Sequence, residues 1–284
     1  MRVSIVGLGL IGGSMGLALR GRQADVEVVG FARRREVAFR AVELGAVDRA
    51  EEHLLSAVDA ADLVLLATPV MAMKDVMEAM AEGLQEGCTV TDAGSTKAQV
   101  MSWASEYLPP TVTFVGGHPM AGKETSGIEA AAADLFVGCT YCLVRGPGAT
   151  REATDTVERL ARQVGARALF IDAAEHDRLV AAVSHLPMLM SSALISMAAG
   201  SPDWPEMAGL AATGFRDITR LASGSPQMTR DICFTNTDSI VRWIDEYVKE
   251  LTRFRHLVAN GGDELEKALT LAREQRETWL RERR

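Results

Sequence analysis

A short strand-like run, Val3-Ser4-Ile5-Val6, leads directly into Gly7-Leu8-Gly9-Leu10-Ile11-Gly12, and a helical pattern continues from there to Arg20. Glycines spaced G-x-G-x-x-G between a strand and a helix leave few folds open to the chain. Gly7 permits a tight turn, Gly9 lets the backbone approach a pyrophosphate, and Gly12 lets the helix pack closely on the strand. Free N–H groups and the dipole at the helix start favour an anion there. The whole loop, with Leu8, Leu10 and Ile11 between the glycines, is therefore the candidate dinucleotide cradle.

The ribose end can be read from the next strand. NAD-specific sites usually carry an acid at its end, about 20 residues past the glycines. Here the strand ends Val28-Val29-Gly30-Phe31, and Ala32, Arg33, Arg34 and Arg35 follow. The acid that would repel a 2′-phosphate is missing, and guanidinium groups able to hold one are present. NADP is expected in preference to NAD, with Ala32, Arg33 and Arg34 on the ribose side. A solvated basic first turn would explain the arginines almost as well, but not the missing acid. Thr68 and Pro69, after the apolar run 63–67, complete the candidate cofactor set.

Up to about residue 172 strand-like runs alternate with helical ones. The strands fall at 26–31, 63–67, 89–92, 113–116, 139–144 and 168–172, with helices near 33–44, 70–82, 96–107 and 150–164. That rhythm implies βαβ units, right-handed crossovers and a mainly parallel sheet. After Asp172 the chain reads as all helix. One long stretch, kinked at Pro187, is followed by segments near 204–212, 216–222, 226–232, about 235–259 and beyond Gly262. The expected fold is α/β: an N-terminal Rossmann-like doubly wound sheet over 1–172, then an all-α C-terminal domain over 173–284. Met188, Leu189, Met190, Leu194, Ile195 and Met197 make the long helix apolar nearly all round. Such a helix must be covered, so a homodimer through the helical domain is expected.

Composition excludes other classes. A net charge of -8 and only 5% aromatic residues speak against a nucleic-acid binder. No uninterrupted apolar run reaches the roughly 18 residues of a membrane span, and the Gly-rich N-terminus is not a secretory leader. Four cysteines are too few for a disulfide framework. The expectation is a cytoplasmic enzyme without membrane or nucleic-acid partners. Cys139 and Cys142 have C-x-x-C spacing, but on a strand they face opposite sides, so they read as two buried thiols and no metal is expected.

Three segments carry chemistry. Thr91-Asp92-Ala93-Gly94-Ser95-Thr96-Lys97 and Gly116-Gly117-His118-Pro119-Met120-Ala121-Gly122 both lie at strand ends, where an open α/β sheet presents its crevice. The third is Glu175-His176-Asp177 with Ser184-His185-Leu186-Pro187, followed later by Gly214-Phe215-Arg216-Asp217-Ile218-Thr219-Arg220. Taken in this order, with G-L-G-L-I-G, these motifs resemble the prephenate/arogenate dehydrogenase family over nearly the whole chain.

The resemblance implies oxidative decarboxylation of prephenate to 4-hydroxyphenylpyruvate in tyrosine biosynthesis, or of arogenate directly to tyrosine. Hydride leaves the ring carbon that bears the hydroxyl, the hydroxyl becomes a carbonyl, and carbon dioxide departs. An imidazole suits the proton acceptor this requires. His118 is similar to the family's catalytic histidine, and Ser95 to the serine that hydrogen-bonds it and helps seat the nicotinamide. Arg220 matches the arginine that anchors the substrate. Arg216, four residues earlier, would share its helix face and assist or pair with an acid. Lys97 contributes positive potential or is an exposed first-turn lysine.

His176 and His185 are nine residues apart. On a regular helix that is about two and a half turns, so they would face nearly opposite ways. His185, beside Pro187, is the better cleft candidate. Where some relatives carry a second histidine after S-H-L-P this chain has Met188, and Thr229 stands where an aromatic often precedes R-D-I. Both changes fall where substrate contacts are expected and leave prephenate against arogenate open. Competing readings are another two-domain dehydrogenase with a helical second domain and an NADP-binding redox sensor.

Overall fold

Runs of apolar residues long enough to be buried on both faces build the centre of the sheet. In the computed structural model, which describes residues 1–22 and 26–282, Leu63–Leu66 is buried at every position. That is the pattern of a parallel strand covered on both sides. The strands are β1 (Arg2–Val6), β2 (Glu27–Phe31), β3 (Arg49–Glu51), β4 (Leu63–Leu66), β5 (Thr89–Asp92), β6 (Thr113–Pro119), β7 (Thr140–Arg145) and β8 (Arg167–Phe170). They form one eight-stranded sheet in the order β3-β2-β1-β4-β5-β6-β7-β8. All neighbours are parallel except β6 and β7. Its first six strands follow the dinucleotide-binding order, with the switch point between β1 and β4.

The helices of this part are α1 (Leu10–Arg22), α2 (Arg35–Glu43), α3 (Leu54–Val58), α4 (Val70–Met80), α5 (Ala98–Tyr107) and α6 (Arg151–Gln163). Alternate strand residues feed two cores. Val3, Ile5, Leu63 and Leu65 pack with Met15 and Leu19 of α1 and Val157 and Leu160 of α6. Val6, Val64 and Leu66 pack with Met73, Met77 and Met80 of α4 and Val100 and Trp103 of α5. The expected α/β fold and strand–helix alternation are therefore observed. The three-residue β3 and the short α3 lack enough residues for a legible period. β6 continues past the expected 113–116 to Pro119, so His118 lies inside a strand rather than beyond its end, opposite Cys142 of β7. Cys139 and Cys142 are both free thiols.

Asp172 caps the next helix, its carboxylate accepting from the N–H groups of Ala174 at 2.8 Å and Glu175 at 3.2 Å. α7 (Ala173–Val180) passes through a π turn, Ala181–His185, into α8 (Leu186–Ala199). Pro187 has no N–H to give to the preceding turn, and the widened turn just before it takes up that deficit. α9 (Trp204–Leu210), α10 (Thr213–Thr219), a 3-10 turn over Arg220–Ser223 and α11 (Pro226–Thr235) complete the first compact unit, Met1–Thr237. The second unit, Asp238–Arg284, holds nearly all of α12 (Thr237–Asn260) and all of α13 (Asp263–Glu282). Along α12, Val241, Ile244, Val248, Leu251 and Val258 form one exposed apolar stripe.

Two glycines of the first loop differ in what a side chain would meet. A Cβ on Gly12 would land on the Gly7 carbonyl oxygen, whereas one on Gly9 would find nothing within 4 Å. Gly12→Ala is expected to lower stability by about 1–3 kcal/mol through forced separation of α1 from the loop. Gly9→Ala is expected to stay within about 0.5 kcal/mol of the parent. Thermal melts of the two variants check this contrast, and equal melting temperatures would contradict it.

Candidate active site

The loops leaving β1, β2, β4 and β5, together with the end of β6, open on the same edge of the sheet, beside the switch point. Gly7 has φ +102°, and a Cβ there would lie 2.7 Å from the Ala67 carbonyl carbon, so the β1 and β4 loops meet backbone to backbone. The open space over Gly9 and the N-terminus of α1 form a concave cradle whose donors are backbone N–H groups. That donor set fits a pyrophosphate. Leu8 is buried in the core and offers only backbone, while Leu10 and Ile11 are half-buried. Thr68 Oγ1 is buried without a partner among the described residues, and Pro69 is the N-cap residue of α4.

At the end of β2, Ala32 packs against the first core. Arg35 pairs with Glu52 at 2.9 Å. Arg33 and Arg34 are exposed and make no ion pair with a described residue. Two of the three arginines thus remain available to an anion.

Behind the crevice lies a buried polar cluster. Asp92, the last residue of β5, accepts from Gly117 N–H at 2.9 Å with Oδ1 and from Gly94 N–H at 2.8 Å with Oδ2. Lys97 Nζ also bonds Asp92 Oδ2, and both side chains are fully buried. This overturns the exposed first-turn option for Lys97, because its ammonium turns inward to a carboxylate fixed by two backbone donors. Gly117 must be glycine, since a Cβ there would strike the Asp92 carbonyl and lie 2.9 Å from the Tyr141 ring.

A second carboxylate, Asp177 of α7, accepts from Lys97 N–H at 2.7 Å and Ala98 N–H at 2.9 Å. Its Oδ1 also meets His176 Nδ1 at 2.8 Å, and His176 Nε2 meets His118 Nδ1 at 2.9 Å. Asn236 Nδ2 donates to the Asp177 carbonyl at 2.7 Å and contacts His185 Nδ1 at 3.3 Å. His118, His176 and His185 are all buried. Burial, the strongest cause, together with the charges of His176, Lys97 and His185, holds the His118 imidazole well below its ordinary pKa. His185 is pushed down to about 4, chiefly by burial, with Asp177 opposing. His118 and His185 are therefore neutral at neutral pH, and His118 is available as a proton acceptor.

The expectation that His176 and His185 face apart assumed a regular helix. The π turn between them breaks that geometry, and both rings join the cluster around His118. His176 is the member of the cluster that sequence reasoning set behind His185; its adjacency to Asp177 was the available signal.

The half-buried Ser95 makes no side-chain hydrogen bond to a described residue, its backbone lies beside His185, and the observed partner of His118 is His176. Arg220 leads the 3-10 turn, is 59% exposed and pairs with Glu124 of the loop after β6. Arg216 pairs instead with its neighbour Asp217 at 3.3 Å, so the two arginines have separate partners. Met188 is half-buried on α8.

A doubly wound sheet with a glycine cradle, and a neutral buried histidine at its ligand-binding edge, defines a nicotinamide-dependent dehydrogenase. Residues 15–170 match the nucleotide-binding domain of prephenate dehydrogenase, and residues 172–271 match its dimerization domain. The prephenate dehydrogenase of Bacillus subtilis (strain 168) is 36% identical over 258 residues, 90% of this chain and 70% of that one. The structure of Aquifex aeolicus prephenate dehydrogenase in complex with hydroxyphenyl propionate and NAD+ superposes with a TM-score of 0.91 at 28% identity, covering 98% of each chain. Synechocystis arogenate dehydrogenase gives a TM-score of 0.83 at 30% identity over 98% of this chain and 100% of that one. The chain belongs to the prephenate dehydrogenase family, whose members are NAD(P)-dependent oxidoreductases.

Neutral burial of His185 sets a pH dependence. Its pKa falls from 6.5 to about 4 on folding, so the unfolded chain binds the extra proton between those values. Stability is then fully present above pH 6.5 and is lost as pH falls towards 4, by about 3 kcal/mol for this group. Melting temperatures measured across that interval are expected to decline steadily. A flat profile would contradict a neutral, buried His185.

Proposed function

We propose that this chain oxidatively decarboxylates prephenate to 4-hydroxyphenylpyruvate in tyrosine biosynthesis, with His118 as the base. The neutral, buried His118 at the crevice carries the reading. The bound nicotinamide supplies the hydride acceptor. Gly7, Gly9, Gly12 and the N-terminus of α1 hold its pyrophosphate, with Thr68 and Pro69 on the facing loop. The half-buried Ser95 stands on the β5 loop, where it would help seat the nicotinamide.

His118 takes the proton of the ring hydroxyl as that hydroxyl becomes a carbonyl. A neutral imidazole can do so; an imidazolium cannot. Arg220 anchors a substrate carboxylate, which must displace Glu124 from its guanidinium, and Arg216 adds positive potential nearby. A firm grip on the departing carboxylate in the ground state would oppose decarboxylation, and competition from Glu124 keeps that grip limited. His185 of the π turn and Met188 of α8 are the further residues proposed to contact substrate. Arogenate is the second reading, favoured by Met188, which offers the substrate side chain no polar contact.

NADP is the preferred cofactor because Arg33 and Arg34 make no ion pair with a described residue, at the end of a strand that lacks the ribose-binding acid. A homodimer follows from the match to a dimerization domain and from the surface it must cover. The helix Ala173–Ala199 has a mean hydropathy of 1.6 over eighteen residues, of which 28% are buried. By length and composition alone it meets the criterion for a membrane span, although polar interruptions hide this in the sequence. Its His176, Asp177 and His185 are committed to the buried cluster, and Val183 and Met197 are more than two-thirds exposed, at 73% and 70%. A second copy of the chain is the proposed cover.

Steady-state rates with prephenate and with arogenate, each with NADP and NAD, test the assignment directly. Turnover of either substrate is expected, with NADP the better acceptor; none in all four combinations, with cofactor binding intact, would overturn it. His118→Asn is expected to cut kcat about 100-fold or more with cofactor affinity unchanged. The double variant Arg33→Ala/Arg34→Ala is expected to raise the KM for NADP about 10-fold while leaving that for NAD nearly constant. A parallel change in both constants would remove the arginines from the 2′-phosphate site.

A further inference from the structure

The proton on His118 must sit on one ring nitrogen, and the cluster behind it decides which. The Asp177 carboxylate accepts a backbone N–H on each oxygen at the start of α5, from Lys97 and from Ala98. A carboxylate only accepts, so the 2.8 Å contact with His176 requires the proton of that ring to be on Nδ1. With one proton there, His176 Nε2 is a bare acceptor. The 2.9 Å contact then places the His118 proton on Nδ1 and leaves His118 Nε2 as a free lone pair.

The sense of this chain is set by Asp177, which is held by backbone. A carboxylate–imidazole pair is a known way of fixing the tautomer and orientation of a ring. Here it acts through a second imidazole. His176 is fully buried and His118 nearly so, and their rings meet edge to face with centroids 5.1 Å apart, so neither ring can turn without breaking a bond of the chain.

We propose that His176 and Asp177 are positioning residues that fix the His118 tautomer, making Nε2 the basic atom, and that they take over the proton load during turnover. The proposal rests on the reading of His118 as the base. When Nε2 receives the substrate hydroxyl proton, the Nδ1 proton passes to His176 Nε2. His118 is left neutral, and His176 holds two protons against the Asp177 carboxylate. No proton is lost or gained by the pair beyond the one taken from substrate.

The other charged and titratable groups facing His118 are Lys97, from the β5–α5 connection, and His185, from the π turn. Lys97 is neutralised by Asp92. His185 accepts from Asn236 at Nδ1, so its own proton lies on Nε2 and it bonds neither ring of the pair. Asp177 is thus the one carboxylate among the described residues in direct contact with an imidazole of this cluster.

Nitrogen-15 NMR of the histidine-labelled, full-length protein, with assignments from single His→Gln variants, reads the tautomers without any turnover. The expected spectrum has His118 and His176 neutral with the proton on Nδ1 in each. A proton on His118 Nε2, or a doubly protonated His176 in the resting protein, would overturn the proposal. His176→Gln and Asp177→Asn provide the kinetic arm. Each is expected to lower kcat about 100-fold, with substrate KM and cofactor affinity within two-fold of the parent. An unchanged kcat, or a loss confined to KM, would reduce the pair to packing. If the parent protein turns over neither substrate, the proposed reaction fails, while the tautomers remain readable and judge the pair separately.

Discussion

Two carboxylates with no exposure to speak of hold the functional edge of this protein together. Asp92 ends β5 and accepts from the backbone of its own loop and from Gly117 of β6, while neutralising Lys97. Asp177 reaches from α7 to the first turn of α5. Lys97 joins them, since its ammonium goes to Asp92 and its backbone N–H to Asp177. Three stretches far apart in sequence, 92–98, Gly117 and Asp177, are thereby fixed relative to one another. Each charge buried here needs its partners, because an uncompensated one costs several kcal/mol. The arrangement is therefore all or nothing, which suits a site whose geometry must not drift.

That anchoring bears on why His118, the proposed base, sits within a strand. A loop histidine would sample several rotamers, whereas His118 is held by the β6–β7 ladder on either side of it. Gly116 and Gly117 let α5, Lys97 and Tyr141 approach that strand more closely than any side chain would permit. The sequence G-G-H-P thus encodes access for neighbours as much as a reactive group. The π turn performs the complementary task from the helical side. An ordinary helix would have turned either His176 or His185 away from the cluster; one widened turn presents both.

The doubly wound sheet was legible because its signals are local: the glycine spacing, the apolar runs and the interval between them. The glycine turn between β1 and α1 was readable for the same reason. What escaped was everything settled by tertiary contact. The short β3 and α3 offer too few residues for a period. For Lys97 a source of positive potential and a solvated first-turn lysine read equally well, since nothing adjacent announces the carboxylate at Asp92 as its buried partner. His176 was set aside by a sound argument from helical geometry, which failed because the π turn is a backbone response to Pro187 and to packing. Ser95 came from family likeness, and the observed contact of His118 is a residue from another element altogether.

If His118 is the base as proposed, its ring must be neutral at rest and the His118–His176 pair must hold one more proton in turnover. Burial alone solves the first half, and it makes the second harder by penalising the charged ring. Lys97 would worsen it further were Asp92 not beside it. A negative group is needed near enough to stabilise the transferred proton, but not so near that it protonates the base beforehand. Asp177, separated from His118 by the width of one imidazole, meets both requirements. Its two backbone donors moderate its charge further, so the cluster can accept one proton from substrate and return it afterwards without an aqueous path.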